Sequence, residues 1–233
     1  MVSPFDESAV EEGRILLTEI ANGLPIQIDG RDAIVQMKEG GSRHWRQMEW
    51  IGFYPEFWFE QNLASKLEAS VGPRFGNVTF DIRRRHVWDL KAHSSDASRW
   101  APLNDVEAIR DCIVTHGGLG FIVMCGPCVY ESDGEFKAWH DGLKGGPSSY
   151  SKEIAKRGAV SRRRKVSFSP DRLIAFRFGA LDDLDQAQSE GWLKGFQEGM
   201  RNSNGRARRE KVMVDLDRIA PWAVVDEVLR SVT

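Results

Sequence analysis

Between Val78 and Ala92 apolar and polar positions alternate: Val78, Phe80 and Ile82 are interleaved with Thr79 and Asp81, then Trp88, Leu90 and Ala92 with Asp89 and Lys91. A period of two marks half-buried strands, so this stretch predicts a hairpin whose turn is the polar run from Arg83 to His86. Closed symmetrically about Arg85, it pairs Val78 with Ala92, Phe80 with Leu90 and Ile82 with Trp88 on an apolar face. The same register sets Asp81 opposite Asp89 and Thr79 opposite Lys91 on a charged face.

The segment before it changes period. Trp50 to Glu68 predicts a helix opening near Pro55, with Phe53, Phe57, Leu63, Ala64 and Leu67 on one arc and Glu56 and Glu60 inside it. Glu56 suits a first turn, where the helix dipole favours an acid. Glu60, in the middle of an apolar stripe, needs a partner: a metal, or an arginine in a buried ion pair.

Further helices are expected over 6–22, ended by Gly23, over 31–38 and over 105–116. Strands are expected at 120–124, at Val166-Ser167-Phe168 with 173–178 across the Ser169-Pro170-Asp171 turn, and at 212–216, followed by a closing helix from Pro221 to Arg230. Strand, helix, strand implies an α/β fold with a central mixed sheet flanked by helices.

At 233 residues, 41% of them hydrophobic, the chain can bury one sizeable core, so a single domain over 1–233 is expected. No stretch approaches the ~18 apolar residues of a membrane helix and the start has no apolar run, which points to a soluble, cytoplasmic protein. An odd number of cysteines, three, argues against a disulfide framework.

Net charge is −2, but the basic residues are clustered: Arg83, Arg84 and Arg85 in the hairpin turn, Arg162, Arg163, Arg164 and Lys165 before a strand, and Arg206, Arg208, Arg209 and Lys211 after the 202–205 turn. Segregation of this kind implies a basic surface facing phosphates.

Asp81 and Asp89 across a strand pair repel, so a cation must sit between them. A hard divalent ion such as Mg²⁺ takes one or two carboxylates, a carbonyl and waters, and a lysine on the same face can position a water against a phosphodiester. The run Phe80-Asp81, then Trp88-Asp89-Leu90-Lys91, resembles the PD-(D/E)xK nucleases of restriction-endonuclease-like fold, with Phe80 standing where that family has proline. The resemblance implies a Mg²⁺-dependent endonuclease cutting double-stranded DNA, in the likeness of a type II restriction enzyme working as a homodimer, or a repair or structure-selective nuclease. It implies Asp81, Asp89 and the Leu90 carbonyl as metal ligands, Lys91 as the water-orienting residue, and Glu60 or Glu56 as the helix acid. A second match, Glu135-Phe136-Lys137, follows Asp133-Gly134 and reads as a turn leading into a helix.

Two other classes use the same chain. A noncatalytic nucleic-acid-binding protein would need only the basic clusters. Cys125-Gly126-Pro127-Cys128 is, as a string, a thiol-oxidoreductase motif, but Val129-Tyr130 and the Asp133-Gly134 turn follow where that family needs a helix.

Overall fold

The computed structural model describes residues 6–96, 98–147, 152–153, 156–158, 163–201, 205, 207 and 209–231. In chain order its first elements are α1 (Glu7–Gly23), β1 (Ile28–Asp29), α2 (Gly30–Glu39), α3 (Tyr54–Asn62), β2 (Arg74–Phe75), β3 (Val78–Thr79), β4 (Ile82–Arg83), β5 (Val87–Ser94) and β6 (Trp100–Asp105). There follow α4 (Val106–His116), β7 (Leu119–Gly126), β8 (Cys128–Tyr130), α5 (Glu135–Leu143), β9 (Lys165–Phe168), β10 (Arg172–Phe178), α6 (Leu181–Ser189), β11 (Leu193–Phe196), β12 (Lys211–Asp215) and β13 (Val224–Leu229).

A five-stranded mixed sheet runs in the order β13, β10, β7, β5, β4. Every neighbouring pair is antiparallel except β5 and β7, which are parallel and are joined through β6 and α4. A parallel pair needs such a crossover, and strands covered on both faces read as continuous apolar runs. β7, Leu-Gly-Phe-Ile-Val-Met-Cys-Gly, is buried at every position.

Two cores lie on the two sides. Trp88, Leu90, Ile122 and Met124 face the cluster built with α1, α2 and α3, whereas Val87, Phe121, Val123 and Cys125 face one built with α4, α6 and a second sheet of β11, β12 and β6. The odd-numbered side of β5, expected to be a charged face, is roofed over by this second core. Asp89 is only 1% exposed.

The hairpin keeps the expected register at its turn, with Ile82 opposite Trp88 and Arg83 opposite Val87. Beyond that the pairing departs from expectation. The Asp81 side chain takes the Leu90 N–H at 2.7 Å, and the chain bends there. Phe80 consequently packs into the opposite core from Ile82. Val78 and Thr79 pair with Phe75 and Arg74 across a turn at Gly76, whose φ of +60° suits glycine, so neither meets Ala92 or Lys91.

α1 secures the turn from outside. Asp6 caps it by accepting the Ser8 N–H at 2.9 Å. One turn later the buried Glu12 carboxylate accepts three N–H groups, each at 3.1 Å: those of Arg85 and His86 in the turn and the Trp88 indole. Gly13 allows the approach, since a Cβ there would stand 2.4 Å from Trp88.

Two helices differ from expectation. The 50–68 region divides into a short 3-10 turn, Trp50–Gly52, and α3, which stops at Asn62 after little more than two turns. The closing helix is instead the edge strand β13, because Val224, Val225 and Val228 are β-branched and the free edge of β10 supplies their partner. Among the described residues no helix is long and apolar enough to cross a membrane.

Candidate functional site

Three elements bring the acids together. β5 carries Asp89 and Lys91, two residues apart and so on one side of the strand. The bend before β4 brings Asp81 in, held by the Leu90 amide. From the first turn of α3, Glu56 completes the group: it interacts electrostatically with Asp89, Lys91 and Asp81. A cleft of about 240 Å³ opens between α3 and the bend, lined by Glu56, Glu60, Ser70, Asp81 and Leu90.

Lys91 makes an ion pair with Asp89, and its Nζ lies 3.3 Å from the Leu90 carbonyl oxygen. Asp89 also accepts the Asn104 side-chain amide at 3.1 Å, from β6 in the second sheet. Burial alone would lower the Lys91 pKa, but Asp89 and Asp81 outweigh it and hold the ammonium above its ordinary value. Burial, and then the Asp89 charge, push Asp81 well above the carboxylate range, against the opposing pull of Lys91 and the Leu90 N–H. Burial and Asp89 likewise raise Glu56. One lysine does not neutralise three carboxylates, so the centre is short of positive charge.

That shortage bears on a metal. Among the described residues no group of three or more His, Cys, Asp or Glu side chains is preassembled around an ion. The donors present are two carboxylates and the Leu90 carbonyl, all hard oxygens, and Mg²⁺ commonly takes few protein ligands and keeps its waters. Lys91 already places a cation against Asp89 and Leu90. The residues fit a small hard cation by chemistry and by charge.

Of the two glutamates, Glu56 faces the aspartates whereas Glu60 is exposed and only lines the cleft. The expected burial of Glu60 fails because α3 ends two residues later, so its solvent side begins where a longer helix would continue inward. Asn104 was missed by sequence reasoning. A lone polar residue in a segment given no element, 100–104, gives no signal.

The basic residues have other partners. Arg83 bonds His116 on α4 at 2.9 Å, Arg163 lies over the Tyr130 ring at 5.3 Å, and Arg209 is 3.7 Å from Asp105. Arg84 is half-buried in the turn, Arg85 is exposed, and Lys211 is half-buried on β12. Arg162, Arg206 and Arg208 lie outside the described residues. Among the described residues no ion pair or hydrogen bond joins these arginines to the acidic group.

Cys125 is the last residue but one of β7 and Cys128 opens β8, with no helix between them and α5. Burial pushes the Cys125 thiol up to about 12, which leaves almost no thiolate at neutral pH. Glu135 and Lys137 lie in the first turn of α5, remote in sequence from any second acid strand. No protein-family model, curated protein or solved structure matches the chain.

Proposed function

We propose that this protein is a Mg²⁺-dependent deoxyribonuclease of restriction-endonuclease-like fold, acting on double-stranded DNA. The observation that carries the reading is the convergence of Asp81, Asp89, Lys91 and Glu56 beside an open cleft, in a group with fewer positive than negative charges. Support also comes from the order of elements: α3, the β4–β5 hairpin, α4, and then β7 parallel to β5.

Asp81, Asp89 and the Leu90 carbonyl would hold the metal, which supplies Lewis-acid activation of the phosphodiester and of an attacking water. Lys91, charged and tied to Asp89, orients that water. Asn104 fixes the Asp89 rotamer, and Glu56 takes the part of the helix acid. The exposed Arg85 and Arg163, with Arg83, Arg84, Arg209 and Lys211, are the candidates for phosphate contacts. A type II restriction role would match a two-fold homodimer to a palindromic site, which sedimentation on a palindromic duplex would reveal.

Incubating purified protein with plasmid DNA tests the activity directly. Cleavage should require Mg²⁺ and be lost in both Asp89→Ala and Lys91→Ala proteins that still fold. Full cleavage by Asp89→Ala would remove this assignment.

A further inference from the structure

A second cleft, of about 250 Å³, lies on the other side of Glu56 and is lined by the Gly40–His44 loop with Phe53 and Glu60. Glu56 and Glu60 line both clefts. Any strand whose phosphate reaches the acidic group meets a field of carboxylates, and Lys91 is committed to Asp89. Arg43 is the cation at the other mouth: it is exposed, it lies near enough to Glu56 to oppose in small part the rise that burial and Asp89 give that carboxyl, and no ion pair of it is found among the described residues.

Beside it the His44 imidazole stacks on Phe53, with centroids 4.5 Å apart and planes 3° from parallel. Burial first, and Arg43 second, depress the His44 pKa, so the ring presents a neutral π-face at neutral pH. The backbone offers little else, because the amides of Gly40, Gly41 and Ser42 are used on α2 carbonyls and the Ser42 hydroxyl accepts the His44 N–H. Beside the Glu56 and Glu60 carboxylates and the Gln61 amide, the cleft thus holds one guanidinium and one aromatic stack, two elements that proteins use to hold an unpaired nucleotide.

We infer that the Gly40–His44 cleft binds an unpaired nucleotide next to the scissile phosphate, its backbone phosphate on Arg43 and its base on the His44–Phe53 stack. This rests on the nuclease reading above and adds to it a preference for duplex DNA that is single-stranded on one side of the cut.

Binding by fluorescence anisotropy in EDTA, with a blunt duplex and with the same duplex carrying a single-stranded tail, tests the inference apart from cleavage. The wild-type protein should prefer the tailed DNA by about fivefold or more, the smaller end of a stacking contribution. His44→Ala should abolish the preference, while His44→Phe, which preserves the stack, should retain it. Arg43→Ala should weaken tailed-DNA binding and reduce the log–log salt slope by roughly 0.7. Equal wild-type affinity for both DNAs, no binding at all, or a preference unchanged in His44→Ala and Arg43→Ala would each overturn the inference. Mg²⁺-dependent cleavage of the same DNAs reports separately on the nuclease reading, which would stand if blunt DNA were bound equally and still cut.

Discussion

Asp81, proposed as a metal ligand, would serve chemistry at a cost in stability. Its pKa in the folded chain is raised by burial and by Asp89, so the folded state keeps a proton that the unfolded chain has already released above the ordinary value of 3.8. Stability must therefore fall as pH rises from there toward the pKa of Asp81 itself. Asp81→Asn removes this dependence and should raise the melting temperature at pH 8 by a few degrees, about 1 kcal/mol for a chain of this length, while abolishing cleavage. Thermal unfolding of both proteins at pH 5 and pH 8 checks the sign: a variant less stable than wild type at pH 8 would mean that the carboxylate is net stabilising. Magnesium should narrow the gap. Bound by the folded state alone, it should raise the melting temperature of the wild type and do so less in Asp89→Ala.

At the scale of elements, the hairpin is held by a helix far from it in sequence. Glu12→Ala would leave three donors, the part-buried Arg85 and His86 N–H groups and the buried Trp88 indole, without their acceptor. At about 1 kcal/mol or more for each, the loss should be roughly 3 kcal/mol, and calorimetry should show a melting temperature lowered by about 6–12 °C. An unchanged melting temperature would mean that the turn closes without α1. Much of this architecture was legible beforehand, and the failures have physical causes. Alternation placed Ile82 opposite Trp88 because aromatic and β-branched residues pair well across strands. It overran at Asp81, where a side chain replaces a backbone acceptor and turns Phe80 to the other core, an exchange no periodicity records. The same excess of regularity carried a helix past Asn62 and made Glu60, not Glu56, look buried. Val224, Val225 and Val228 were read as helical although their branching favours the strand that a free sheet edge then completed.

For the whole molecule, the two cores enclose all three cysteines. Burial pushes Cys112 and Cys125 up to about 12 and raises Cys128 as well, so none carries an appreciable thiolate at neutral pH. A disulfide-exchange reagent at pH 7.5 should label no thiol in the native protein and three in denaturant. Rapid native labelling of Cys125 would reopen a redox role for the Cys-Gly-Pro-Cys run.

The missing Cβ of Gly13 faces Trp88 and Val225 together, so α1 touches the hairpin and also rests on β13. Most of the chain separates these partners in sequence. During synthesis α1 is made long before β13, and contacts of such long separation are slow to form. α1, which braces the hairpin turn through Glu12, is thus fully seated only once β13 is in place. A nascent or truncated chain lacking residues beyond Ala223 should be an inactive one, with its carboxylates still apart.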